Sequence, residues 1–162
     1  MAITLIGLPS SGKSTLGVLL AKALGYSFID TDLIIQQKEN ALLHELIASK
    51  GIQGFLDIEN KVISQVQAEN AVIATGGSAI FGDDGMAHLK ELGKIVYLKI
   101  SYDTLVERLG DYSHRGVVIR EGETLKDLYL ERVPLYEKWA DVTVDSTSPM
   151  YESVKKLTEV LK

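Results

Sequence analysis

The sequence predicts an α/β fold, a five-stranded parallel sheet with helices on both faces. Two observations carry this. Five short apolar or β-prone runs, at residues 3–6, 27–29, 71–74, 95–98 and 142–144, alternate with longer stretches of helical periodicity. The first run passes directly into Gly7-Leu8-Pro9-Ser10-Ser11-Gly12-Lys13-Ser14, followed by Thr15. That segment fits the phosphate-binding pattern G-x-x-x-x-G-K-[ST], and it stands between a strand and a helix, the context the pattern requires.

The helix after the loop is read from Leu16, Leu19, Leu20, Ala23 and Leu24, with Gly25 as its stop. Gly7 and Gly12 let the backbone approach a phosphate closely. Loop amides at a helix N-terminus favour an anion. Lys13 can reach the β- and γ-phosphates of a nucleotide, and the Ser14 hydroxyl can ligate Mg²⁺, a cation that takes few protein ligands.

Asp30-Thr31-Asp32 closes the second strand. Ligands of an open parallel sheet bind beyond the carboxyl ends of its strands, so both aspartates are expected beside the loop. One can hold Mg²⁺ through water and the other can contact a hydroxyl; either can also cap the next helix. Residues 33–68 read as helices broken near Asn40 and Gly51. Thr75-Gly76-Gly77-Ser78 follows the third strand, either as a close approach for a ligand or as a plain tight turn. Helices are expected over 86–92 with Gly93 as a stop, over 102–109 capped by Ser101, over 125–139 interrupted at Pro134, and over 151–161.

Residues 110–122 carry little periodicity and read as a mobile segment. All four arginines, Arg108, Arg115, Arg120 and Arg132, lie between positions 108 and 132, and elsewhere the permanently charged basic residues are all lysine. Arginine is the better bidentate partner for phosphate and carboxylate, so the cluster points to anion binding.

Composition bounds the rest. A chain of 162 residues, 46% hydrophobic and 24% charged, is expected to be one globular domain. No apolar run is long enough for a membrane span, and no signal peptide is read ahead of the first strand. There is no cysteine, which excludes disulfides and fits a cytoplasmic protein. The net charge of −5 argues against non-specific nucleic-acid binding.

In order, the phosphate-binding loop, Asp30-Thr31-Asp32, Gly54-Phe55-x-x-x-Glu59, Thr75-Gly76-Gly77, the arginine-bearing loop, Glu131-Arg132-Val133-Pro134-Leu135-Tyr136 and Ala140-Asp141-Val142-Thr143-Val144 resemble the shikimate kinases across essentially the whole chain. The resemblance implies a P-loop, nucleoside-monophosphate-kinase-like three-layer sandwich. It implies a single kinase domain over 1–162, with a substrate-binding helical segment at about 31–60 and a lid at about 110–122. The implied chemistry is Mg²⁺/ATP-dependent phosphorylation of a small hydroxy acid, shikimate to shikimate 3-phosphate, by a monomer without nucleic-acid or membrane partners.

By the same resemblance, Ser10, Ser11, Gly12, Lys13, Ser14 and Thr15 hold the ATP phosphates, and Ser14 and Asp30 serve Mg²⁺. Arg108 stacks on adenine with Pro149 on its other side, and Arg115 is the lid arginine that meets the phosphates. Asp32, Gly76, Gly77 and Arg132 contact the acceptor; Lys13, Asp32 and Arg115 are the catalytic set.

The chain departs from the family pattern on the acceptor side. Leu56 stands where the family has a carboxylate-binding arginine, so Glu59, which would brace that arginine one turn on, has lost that partner. Ser78 stands where a third glycine is usual, and the lid reads Arg115-Gly116-Val117-Val118 in place of Arg-Pro-Leu-Leu. These changes leave two other readings: a kinase of the same scaffold for another polyol or hydroxy acid, and a nucleotide-binding, non-catalytic paralogue.

Overall fold

The computed structural model describes residues 1–110 and 116–161. The strands β1 (Ala2–Ile6), β2 (Ser27–Asp30), β3 (Ala71–Ala74), β4 (Gly93–Lys99) and β5 (Val142–Asp145) form one sheet in the order β2-β3-β1-β4-β5. Every pairing is parallel, with Ile3 beside Val72 and Lys94, and Tyr97 beside Thr143. The crossovers carry α1 (Lys13–Leu24), α2 (Thr31–Glu39), α3 (Leu43–Ser64), α4 (Asp83–Leu92), α5 (Tyr102–Leu109) and α6 (Leu125–Trp139), and α7 (Met150–Leu161) follows the last strand.

β1 and β3 are buried along their whole length, as continuous apolar runs in a doubly covered sheet must be. Alternate side chains then feed two cores. Ala2, Ile6, Ile95 and Tyr97 pack with Ile63, Met86, Leu89, Leu105, Leu128 and Tyr136 from α3 to α6. Ile3, Leu5, Val96, Leu98 and Val144 pack with Leu16 and Leu20 of α1 and Leu157 of α7. A third, smaller cluster joins Ile35 of α2 to Leu46, Phe55 and Val62 of α3 and to Val118.

Several boundaries differ from the sequence reading. α4 begins at Asp83, three residues before the expected start, because Asp83 and Asp84 fill its first turn and favour the positive end of the helix dipole. The break expected near Gly51 is present: φ 73 and ψ 171 there are non-helical, so α3 is two helical stretches joined at a kink. α6 is continuous across Pro134. The proline frees the Leu130 carbonyl, and Leu130 is exposed, so water can take the place of the missing donor. Trp139 packs half-buried against the larger core.

Three loops leave the carboxyl ends of β1, β2 and β3: the glycine-rich loop, Asp30 to Asp32, and Thr75 to Ser78. They meet at one end of the sheet, where ligands of this topology bind.

Candidate active site

The loop after β1 is held open by unusual backbone. Gly12 takes φ 92 and ψ 16 at the N-cap of α1, and Ser10 also has positive φ. Ser10, Gly12, Lys13, Ser14 and Thr15 line a cavity of about 390 Å³. Ser11 is fully buried beneath the loop, and its carbonyl accepts a hydrogen bond from Ser146 Oγ at 2.6 Å. Lys13 is buried, and its Nζ donates to the carbonyls of Gly7 and Leu8, both at 2.8 Å. Burial lowers the Lys13 pKa to about 8, against the upward pull of Asp32, Asp30 and Glu59 and with the help of Arg132.

Ser14 Oγ donates to Asp30 Oδ2 at 3.1 Å. The other Asp30 oxygen accepts from Asp32 N at 2.9 Å and Leu33 N at 3.4 Å, which caps α2. Capping and a place beside Ser14 are thus compatible in one side chain. Ser14 and Asp30 offer hard oxygen donors side by side, and among the described residues no cluster of three acidic, histidine or cysteine side chains forms a metal cage. That donor set suits Mg²⁺, which keeps waters and substrate oxygens for most of its shell.

The same cavity is lined by Asp32, Glu59, Gly76, Gly77, Ser78 and Arg132, with Phe55, Leu43 and Val117 as apolar members. Burial raises the Asp32 pKa to about 6, and the neighbouring Asp30 charge adds to it. Glu59 is almost fully buried, and burial raises its pKa to about 7 despite a hydrogen bond from Ser78. Asp32 Oδ1 and Glu59 Oε2 are buried and have no hydrogen-bond partner among the described residues. Arg132 is buried, donates from Nη2 to the Val118 carbonyl, and lies 5.3 Å from the centre of the Phe81 ring. Tyr136, stacked on Tyr97, donates its hydroxyl to the Gly77 carbonyl at 2.5 Å and fixes that turn. A side chain on Gly77 would strike the Pro9 ring at 2.8 Å, so the two loops close on each other only with glycine there.

Arg108 and Pro149, two other expected residues, lie outside the cavity lining. Arg108 donates to the carbonyls of Ser10 and Ser146, each at 3.5 Å, and so spans the outer side of the loop. Pro149 is exposed just before α7, and its carbonyl accepts from Glu152 N and Ser153 N. Arg115 lies outside the described residues.

Glu59 has no arginine to brace at position 56, and one of its oxygens has a different partner. Ser78 Oγ donates to Glu59 Oε1 at 2.7 Å, and both groups are buried. Leu56 faces a separate cleft with Asp57, Asn60, Phe81 and Arg120. Arg120 is engaged there, 3.1 Å from Glu131 and 3.5 Å from Glu123. Sequence reasoning missed Ser78 as a partner of Glu59, and it missed Tyr136 and Phe81 as supports of Gly77 and Arg132. A polar residue at the end of the Gly-Gly turn was the one local signal for Ser78.

A buried lysine in a phosphate-binding loop faces paired carboxylates and a buried arginine over one small polar cavity. Comparison with known proteins gives the same family from three sides. The shikimate kinase family model matches residues 9–162. Shikimate kinase 2 of Yersinia enterocolitica is 34% identical, covering 98% of this chain and 94% of that one. The crystal structure of the Aquifex aeolicus shikimate kinase superposes with a TM-score of 0.84 at 34% identity, covering 99% of this chain and 96% of that one. The Acinetobacter baumannii shikimate kinase, solved in complex with shikimate, gives 0.89 at 30% identity, covering 99% and 92%. On this agreement of family model, relatives and solved structures, the chain belongs to the shikimate kinase family.

Proposed function

We propose that this chain transfers the γ-phosphoryl group of ATP to a hydroxyl of shikimate, giving shikimate 3-phosphate and ADP, as a step of aromatic amino acid biosynthesis. The observation that carries the reading is the cavity itself. Lys13 and the loop residues Ser10, Gly12, Ser14 and Thr15 line it together with Asp32, Gly77 and Arg132, in a member of this family.

Each residue then has a task. Lys13 leaves the carbonyls of Gly7 and Leu8 and donates to phosphate oxygens, while Ser10 to Thr15 surround the phosphates. Ser14 and Asp30 would hold Mg²⁺, Asp30 through water; when bound, the ion neutralises charge on the β- and γ-phosphate oxygens. Asp32, with one oxygen unpartnered among the described residues and a pKa near 6, is ionised at neutral pH and orients the attacking hydroxyl. In the in-line transfer the acceptor oxygen bonds to the γ-phosphorus, the bond from that phosphorus to the β-bridging oxygen breaks, and the hydroxyl proton passes to Asp32. Arg132 pairs with the acceptor carboxylate. We assign Arg115 to the phosphates, Arg108 and Pro149 to the adenine, and residues 110–122 to a closing lid. The reading takes the chain as a cytoplasmic monomer; no described helix is long and apolar enough to cross a membrane.

The test is ADP release with ATP and Mg²⁺ against a panel of hydroxy acids that includes shikimate. Turnover with shikimate above the rest is expected. A second reading, another polyol or hydroxy acid as acceptor, is favoured by Leu56, which brings no cation to the cavity. A different best acceptor in the panel would establish it.

A further inference from the structure

Two buried acidic oxygens face the same small volume. Gly76 lies between them: a methyl group added there would sit 2.8 Å from Asp32 Oδ1 and 3.0 Å from Glu59 Oε2. Neither oxygen has a hydrogen-bond partner among the described residues, and both residues line the cavity. Leaving buried carboxylate oxygens unpartnered is costly, so the arrangement calls for donors from a ligand. The second Glu59 oxygen is occupied by Ser78 Oγ at 2.7 Å, a hydrogen bond between two buried side chains. Ser78 has the right chemistry for that task, since its hydroxyl donates to the carboxylate and stabilises the charged form.

We propose that Ser78 is a positioning residue of the acceptor site: its hydroxyl holds one Glu59 oxygen and thereby presents the other, beside Asp32 Oδ1, to neighbouring hydroxyl groups of the acceptor. The inference rests on the phosphotransfer reading above and deepens it. Asp32 takes the reacting hydroxyl and Glu59, held by Ser78, takes an adjacent one. Gly76 is small because both carboxylates converge on it.

The experiment compares wild type, Ser78→Ala, Glu59→Gln and the double variant, with Ser78→Thr as the conservative replacement. Steady-state kinetics with shikimate are run from pH 5 to 9. Ser78→Ala is expected to raise the KM for shikimate about tenfold, the scale of a charge-assisted hydrogen bond, with a smaller change in kcat. The acid limb of kcat/KM should move to higher pH, because Glu59 loses the donor that favours its ionised form; Ser78→Thr should restore both. In the Glu59→Gln background the same serine substitution should add little. An unchanged KM and pH profile overturns the proposal, and so does an effect of equal size in the Glu59→Gln background. If shikimate is not turned over by the wild type, the functional reading fails. ¹³C NMR of labelled glutamate then decides separately: an upward shift of the Glu59 midpoint in Ser78→Ala supports the proposal, and an unmoved midpoint overturns it.

Discussion

Lys13 is a buried cation kept charged by its surroundings. Burial works against its ammonium, and the carboxylates of Asp32, Asp30 and Glu59 work for it, with a net pKa of about 8. The sign is clear: the cation is present below that value and lost above it. The kcat/KM for ATP, which reports the free enzyme, is therefore expected to fall above about pH 8. Lys13→Ala should abolish transfer and weaken ATP binding greatly, as read by titration calorimetry with Mg²⁺; unchanged affinity and turnover would sink the loop assignment. The two aspartates should separate kinetically. Asp32→Asn leaves ATP binding intact and lowers kcat by roughly 10²- to 10⁴-fold, the usual scale for a lost proton acceptor. Asp30→Asn instead raises the Mg²⁺ concentration needed for half-maximal rate, because Asp30 stands against Ser14 Oγ. At this scale the sequence was most informative where chemistry is local. The loop and the Asp-x-Asp pair are contiguous, so their roles follow from spacing. The Ser78–Glu59 bond joins residues 19 apart, and the polar residue at the end of the Gly-Gly turn does not by itself name its partner.

At the scale of elements, α3 decides how the acceptor carboxylate is met. Leu56 stands one turn before Glu59, the spacing at which helix side chains can pair. The Leu56 side chain adds no charge to the cavity and turns to the cleft of Phe81 and Arg120. Arg132 is then the one arginine lining the cavity among the described residues. Losing one arginine of a buried carboxylate pair commonly costs about 2–5 kcal/mol, or roughly 30- to 3,000-fold in affinity. A high KM for shikimate is therefore expected of the native chain. Leu56→Arg should lower it by at least about tenfold, since a guanidinium there can lean on Glu59. A native KM already in the low micromolar range, or no gain in kcat/KM from the variant, would count against this account of the pocket. The strands were legible because fully apolar runs have one use in a covered parallel sheet. The direction of Leu56 was not, because helical periodicity gives a face but not the cavity that the face borders. Pro134 misled for a related reason: a proline ends a helix only if the freed carbonyl finds no other donor.

At the scale of the whole molecule, the three hydrophobic clusters divide the labour. Two of them clamp the sheet between α1 and α7 on one side and α3 to α6 on the other, and they hold the loops that carry Lys13, Asp32 and Gly77. The third stands apart. It packs α2 against α3 through Ile35, Leu46, Phe55 and Val62, and it takes in Val118, which also lines the cavity. The Val118 carbonyl in turn accepts from Arg132. A ligand that pairs with Arg132 therefore acts on both the α2–α3 segment and the stretch around Val118. That linkage predicts coupled closure rather than an independent lid. Hydrogen exchange should show protection in residues 31–60 and 110–122 together when ADP and shikimate are both present, and less with either alone. The amides of β1, β3 and β4 should exchange equally in all states, since they lie in the buried sheet and open only with global unfolding. Protection confined to 110–122 would leave closure but remove the coupling through Val118. Equal exchange everywhere, with and without ligands, would mean that the cavity is already in its working shape and that water is excluded without any movement of these segments.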